Sequence, residues 1–596
     1  MLTANVKNAP YLATGDGITD DTFAIQQAID DVSAHGGGMV TIPAGVYYIS
    51  ATLWLKSNIH IQGSGIDRTI LDLKQNNQVI AFDFKEPSLI SLMQTEDVCL
   101  GDPMNSIANA LQAGDFIIYR NQRRFTEAWD QGRAIRPYYT AGEIFSVQVA
   151  TPTMVAFSDR ASLSLPTTTT NGVTAFTPYR NIAVIGLTIQ RNGEEVSGAK
   201  IASNVSIRVR YCDGFYANQV KSVRTNYTGF HIAYSMNVTM EYIESIGYSA
   251  KDGYLYGVLI ADATKYVRIS NIHSKHNRHG ISGGNSGNGI PMHVMVDGMI
   301  ITDTTRNPNG SETHSLDCHA STLNFTLKNA LLDNGMSISG MGHVVNNITS
   351  LKGDFLLYEG GLGHCFENIT FQRCRGFFSN EIIKNINFFN VKLNLYNYTR
   401  NNFAEGSSHL CFNQIQMINQ RFLESVNNKD ADTTVPTYRN GYVGLRLQDH
   451  CTLKNSYIEG FPQGVFVDGS CCFVENVRIV NCSWKSTHTI NESALYLSGR
   501  ASRSHFTHVL ISFTKPAMVT GSPLLLVYQN VGEAKRIDLS HIIHPLEHWV
   551  PFSEGVYSDT QCNELFVIHS WLYTTAPPSW HASGMYVTNN FIASLN

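Results

Sequence analysis

From Asn181 onward the chain returns repeatedly to one short theme, an Asn or neighbouring polar residue followed by alternating aliphatics. It stands as Asn181-Ile182-Ala183-Val184-Ile185, Asn204-Val205-Ser206-Ile207, Asn237-Val238-Thr239-Met240 and Tyr266-Val267-Arg268-Ile269. It returns as His343-Val344-Val345-Asn346-Asn347-Ile348, Asn368-Ile369-Thr370-Phe371, Asn385-Ile386-Asn387-Phe388 and Asn476-Val477-Arg478-Ile479. The period inside each run is two, which sends successive side chains to opposite faces of a strand. The runs recur mostly about 20–30 residues apart, the range of solenoid repeats. Gly, Asn, Asp and Ser, which tolerate left-handed turns, fill the gaps. No helix of crossover size separates the runs, so a doubly wound sheet does not fit. Parallel strands wound as stacked coils, with Asn at the corners, satisfy all of this; an array of β-sandwiches is the alternative.

The first fifty residues have a different character. Gly15-Asp16-Gly17-Ile18-Thr19-Asp20-Asp21-Thr22 precedes Ala24, Ile25, Ala28, Ile29 and Val32 at helical spacing. The polar cluster, with Asp20 and Asp21, is expected to cap a helix that Gly36-Gly37-Gly38 stops. Val40, Ile42 and the run Pro43-Ala44-Gly45-Val46-Tyr47-Tyr48-Ile49 then read as strand, turn and strand. A stack of strands leaves its apolar interior open at the end unless something covers it, and the helix reads as that cover. Together the Gly-Asp-Gly-x-Thr-Asp-Asp-Thr run, the Ala-Ile-Gln helix, the Gly triplet and Pro-x-Gly-x-Tyr resemble the opening of the pectate-lyase-like superfamily. Bacteriophage tailspikes and capsule depolymerases, rhamnogalacturonases and uronan epimerases share that opening. The resemblance implies an all-β chain folded as a single-stranded right-handed parallel β-helix. Residues 1–50 would be its N-terminal cap, 51–510 the β-helix with inserted loops, and 511–596 a small β-rich C-terminal region for capping and trimerisation.

Two segments interrupt the theme. The stretch 120–142 is rich in Arg and aromatics (Arg123, Arg124, Trp129, Arg133, Arg136, Tyr138, Tyr139) and reads as a loop overhanging the column or packed on a neighbouring subunit. The stretch 429–439, with Asp430, Asp432 and Pro436, reads as a second excursion. After Leu510 the Asn theme fades into apolar runs at 524–527 and 565–568.

Composition excludes several functions. Charged residues make up 15% of the chain and the net charge is −5, so there is no basic footprint for nucleic acid. No run of about 18 apolar residues offers a membrane span, and Met1 to Pro10 lacks the apolar core of a signal peptide. The 11 cysteines are odd in number and form no CxxC pair; Cys365, Cys374, Cys411, Cys451, Cys471, Cys472 and Cys482 sit in strand-like runs. They read as free thiols made in a reducing cytoplasm. The 21 histidines show no metal spacing, and no cofactor is expected. The glycine-rich stretch 283–289 lacks the Lys-Ser or Lys-Thr of a phosphate loop and reads as a flexible turn.

The residues that could carry chemistry lie in the middle of the repeat. Asp317 and His319 are two apart, so in a strand they share one side while Leu316 and Cys318 face the core. Glu359, followed by Gly360 and Gly361, lies about two coils further on, or about 9–10 Å at the usual strand spacing. That is the upper end of the separation between the two carboxyl groups of an inverting glycosidase. Arg278 and His279 fall about one coil before Asp317; His279 is a candidate proton shuttle and Arg278 a candidate binder of an acidic sugar. Tyr254 and Tyr256 offer flat faces for sugar stacking, and Trp129 is a further candidate contact. Tyr256-Gly257-Val258, Asn277-Arg278-His279-Gly280-Ile281 and Leu316-Asp317-Cys318-His319 resemble the middle of many phage tailspike depolymerases. The Asp-x-His element also resembles the Asp-Pro-His-Glu element of uronan epimerases, with Cys318 and Ala320 in place of Pro and Glu.

These readings lead to an expected function. The chain should bind and cleave a bacterial capsule or O-antigen polysaccharide as a homotrimeric spike on a phage tail or baseplate. It would be made in the host cytoplasm and act at the bacterial surface, without nucleic-acid or membrane partners. Hydrolysis by Asp317 and Glu359, with His319 and His279 in support, is preferred. Elimination by a histidine base and a non-catalytic adhesin are the alternatives, and the missing signal peptide and odd cysteine count disfavour a bacterial pectinase-like enzyme. The opening lies almost at Met1, so a virion-docking domain is expected to be absent or removed.

Overall fold

The computed structural model describes residues 2–74, 78–125, 136, 138–192, 203–248, 253–284, 287–306, 313–400, 403–420, 443–461, 463–482, 494–498, 500–501 and 503–512, together with seven short strands between 525 and 594. It divides into two compact units, Met1–His343 and Val344–Asn596.

In the first unit Leu2–Asn5, Gly38–Ile42, Ile59–Gly63 and Tyr179–Gln190 pair in parallel, each with the next. The ladder continues through Cys212–Thr225, Met236–Gly247, Thr264–Lys275, Pro291–Thr302 and Leu323–Leu332. A second parallel ladder alternates with it along the chain: Val205–Arg210, Thr228–Ala233, Tyr256–Ala261, His279–Gly284, Leu316–Cys318 and Met336–Ile338. Alternation between two ladders of parallel strands is the wiring of a parallel β-helix, as the repeat predicts. Its core is built by stacking like on like. Ile182 pairs with Phe215, and Val238, Val267, Val294 and Phe325 follow one another in register, all buried. Each such side chain contributes about 1.5–3 kcal/mol.

The Asn residues of the repeat do turn corners. Asn181, Asn237, Asn347, Asn368, Asn385 and Asn476 all have φ between 53 and 58°, the left-handed region that short amide side chains tolerate. Neighbouring Asn side chains bond from coil to coil: Asn181 donates to Asn58 at 3.3 Å, Asn390 to Asn368 at 2.7 Å and Asn476 to Asn455 at 2.8 Å. The cap helix spans Thr22–Ala34 and buries Ile25, Ala28, Ile29 and Val32. The capping expectation needs one correction. Asp20 accepts from the Thr22 backbone N–H at 3.0 Å, but Asp21 makes no side-chain cap; its carboxylate accepts instead from the backbone of Thr14 and Gly15 at 2.7 and 3.0 Å.

The stretch between Asp83 and Tyr179 is not a run of coils. It is an inserted antiparallel sheet of six strands, Ile90–Leu92, Met104–Ser106, Phe116–Arg124, Thr140–Thr151, Met154–Phe157 and Thr170–Phe176. Its strands are apolar on both faces. Ile117, Tyr119, Phe145 and Ala175 form the insert's own core. Phe116, Ile118, Ile144 and Phe176 pack on Tyr211, Met236 and Ala263 of the coils.

In the second unit the parallel ladder runs through Val344–Ser350, Cys365–Phe378, Ile383–Arg400, Ser408–Asn413, Thr452–Glu459, Phe473–Val480 and Ser504–Ser512. Phe366, Phe388 and Phe412 form a stack within it, with ring centroids 5.2 and 4.9 Å apart. Beyond Leu510 the strands Ile537–Ser540, Leu565–Ile568 and Met585–Thr588 extend the same parallel pairing. The described cysteines are all free thiols, and no helix among the described residues is long and apolar enough to cross a membrane.

Candidate functional site

Register brings the sequence candidates of the first unit together. Tyr256 pairs with His279 on the next coil, and the strand beginning at His279 pairs with Leu316–Cys318, setting Ser282 beside Asp317. Leu316 and Cys318 point into the core, which forces Asp317 out of it. Asp317 is nevertheless only 7% exposed, because imidazoles close over it from both sides. Its Oδ2 lies 3.3 Å from His279 Nε2 and 3.4 Å from His319 Nε2. Burial by itself favours the neutral acid. His319, His279, Arg278 and His314 override it and hold the Asp317 carboxyl well below the ordinary carboxylate range.

The two histidines differ in access. His279 has a side chain 3% exposed, and burial pushes it down to about 3. Its Nδ1 lies 2.5 Å from the His314 carbonyl. A carbonyl only accepts, so Nδ1 carries the proton and Nε2 keeps its lone pair, facing Asp317 without a hydrogen bond. A proton arriving at Nε2 would therefore be met at once by a carboxylate. His319, with a side chain 19% exposed, is the ring nearer solvent. The Tyr139 ring, carried by the insert, lies 6.0 Å from it, and Arg136 lies 5.3 Å over Tyr139.

On the other side Tyr256 stacks on His279 at 5.8 Å and 15°. Arg278, in the turn before the strand, lies 5.6 Å over the Tyr256 ring, bonds the Tyr256 hydroxyl at 3.3 Å and donates to the Gly253 carbonyl. Arg278 and His279 thus both join the cluster, because the turn frees Arg278 from strand alternation. Tyr254 is exposed and meets Tyr227, which sequence reading passed over, at 5.2 Å. Tyr227 in turn touches Tyr256 and His231, extending the aromatic edge.

Glu359 belongs to the second unit, buried in a turn after Gly353–Leu356. Trp129, Arg133 and the stretch 429–439 lie outside the described residues. Among the described residues no group of three or more His, Cys, Asp or Glu is arranged to hold a metal ion. What the cluster can do is move a proton between a substrate and an imidazole whose positive charge Asp317 would balance.

The architecture also matches known proteins. Over 88% of this chain and 82% of the other, the structure superposes on the tailspike gp61 of Pseudomonas phage phi297, with a TM-score of 0.52 and 17% sequence identity. The fold is tailspike-like. Residues 4–92 match the family described as rhamnogalacturonase A/epimerase, pectate lyase-like. Over 76 residues the chain is 47% identical to mannuronan C5-epimerase AlgE2 and 45% identical to alginate lyase 7, both of Azotobacter vinelandii. Those residues are 12% of this chain and span only 7% and 9% of the two relatives. The tailspike-like coils that hold Asp317 lie outside the matched opening.

Proposed function

We propose that the chain is a tailspike-type depolymerase that binds and cleaves a bacterial surface polysaccharide, with its chemistry at Asp317, His319 and His279. The observation that carries this reading is the Asp317 carboxyl held between two imidazole nitrogens, beside Arg278 and an aromatic edge. Of the two carboxyl groups a glycosidase uses, one must hold a proton to donate, and Asp317, shifted the other way, fits only the ionised partner. A base that removes a proton next to a uronate needs an imidazole with a stabilising partner and a cation for the sugar carboxylate. His319, Asp317 and Arg278 supply those parts. Elimination therefore stands ahead of the hydrolysis that the sequence favoured. Purified capsular polysaccharides should yield fragments ending in a 4,5-unsaturated uronate, seen by mass and by absorbance near the ultraviolet edge. Fragments that have each gained one water would return the chemistry to a carboxylate pair.

The same reading expects a homotrimer on a phage tail. Closed cyclic symmetry is the usual arrangement of a homo-oligomer. Ile300 and Leu331, paired on adjacent strands of the first unit, are 49% and 40% exposed and would gain from cover by a neighbour. Light scattering should report about three times the 66.1 kDa chain mass. A stable, active monomer at micromolar concentration would contradict this.

A further inference from the structure

One corner of the first unit departs from its own rule. Asn181, Gly214, Asn237, Tyr266, His293 and Asn324 follow one another on successive coils, all with φ between 53 and 82°. Gly and Asn adopt this conformation readily, whereas a bulky residue in it is strained by about 1–2 kcal/mol. Tyr266 and His293 accept that strain, and both reach into the inserted sheet. Their rings stack at 5.4 Å and 20°. The Tyr266 hydroxyl donates to Asp159 at 2.9 Å, and His293 Nε2 lies 2.9 Å from the Ser162 hydroxyl.

Beside them Lys265 is wholly buried. Its Nζ is 2.5 Å from Glu143 and 2.5 Å from Asp159, and 4.5 Å over the Phe145 ring. Glu143 also accepts from the backbone of Ser162 and Leu163. Buried ion pairs are poor sources of net stability compared with apolar packing, so strain and buried charge at one joint need another explanation. The strand Thr140–Thr151 provides one. It holds Glu143, its Gly142 carbonyl accepts from the Ile290 N–H of the coils at 3.1 Å, and Tyr139 immediately precedes it. The anchor Glu143 and the ring beside His319 are thus four residues apart on one extended segment.

We propose that Lys265, Tyr266 and His293 form a dock that fixes the inserted sheet so that Tyr139 walls the His319 side of the site, which makes Lys265 a positioning residue. The link to cleavage rests on the reading of Asp317 above; the dock itself does not. A double variant, Tyr266→Asn with His293→Asn, restores the Asn corner and separates the two roles. Its unfolding temperature should hold or rise, because strain is relieved. Amide exchange over 139–147 should accelerate at least tenfold, and kcat/KM on the cleaved polysaccharide should fall about 10- to 100-fold through a displaced wall. Lys265→Met should give the same exchange pattern with a lower unfolding temperature, because the buried Glu143 and the partly buried Asp159 lose their cation. Parental protection of 139–147 in both variants would overturn the dock. Faster exchange with unchanged kcat/KM would overturn the positioning role. A parent protein that cleaves no polysaccharide would count against the Asp317 reading, while exchange at 139–147 would still decide the dock.

Discussion

Replacing Asp317 with Asn is expected to lower polysaccharide cleavage about 100- to 10,000-fold, the range for losing one proton-transfer partner, while the protein stays folded. The substitution keeps the side chain's size and removes only its charge. An imidazolium formed at His319 would then face an amide at 3.4 Å in place of a carboxylate. The loss corresponds to about 3–5 kcal/mol of barrier. The strand should survive, because Asp317 is held by backbone pairing with Ser282 and Ser337 and by the buried Leu316 and Cys318. Initial rates with matched melting curves check both halves. Glu359→Gln separates the two chemistries: near-parental cleavage fits elimination at the Asp317 cluster, and a loss as deep as that of Asp317→Asn fits a carboxylate pair.

Acid should destabilise the first unit through His343, a ring with no part in the proposed chemistry. His343 is fully buried; its Nδ1 accepts from the Phe325 N–H at 2.9 Å, and its Nε2 lies 2.8 Å from the Ser339 carbonyl. Those partners fix the neutral form with the proton on Nε2, and burial pushes the ring down to about 4. An unfolded histidine titrates near about 6.5. Between these values the unfolded chain binds a proton that the folded chain refuses, so stability is lost as pH falls from about 6.5 to 4. The loss amounts to about 3 kcal/mol at pH 4. Urea unfolding at pH 7, 5.5 and 4 should show this slope in the parent and a shallower one in His343→Gln. Equal slopes would place the acid sensitivity elsewhere.

The coils could be read from the chain because each repeats the same local chemistry. The period of two sends Val238 and Val267 inward, and Asn237 turns the corner because its side chain tolerates a left-handed backbone. The Asp317 cluster could be read in part for the same reason, since register brings residues a coil apart into contact. The inserted sheet was hidden because Phe116 and Ile118 face the coils while Ile117 and Tyr119 face the insert's own core. A strand apolar on both sides carries no alternation to distinguish it from a coil. Lys265 sat unnoticed before an aliphatic run, although Tyr266, standing where the theme has Asn, was the available signal. Asp21 followed a helix-capping pattern and was claimed instead by the turn at Thr14 and Gly15. Local sequence cannot weigh that competition.

The most direct test is a hydrogen-exchange footprint of Asp317→Asn mixed with fragments of a capsular polysaccharide that the parent protein cleaves. Bound but uncut glycan should slow exchange at 138–142, 253–257, 278–284 and 314–319, the segments carrying Tyr139, Tyr254, Tyr256, Arg278, His279, Asp317 and His319. Protection confined to other segments, with these four exchanging as in the free protein, would contradict the assignment of the site.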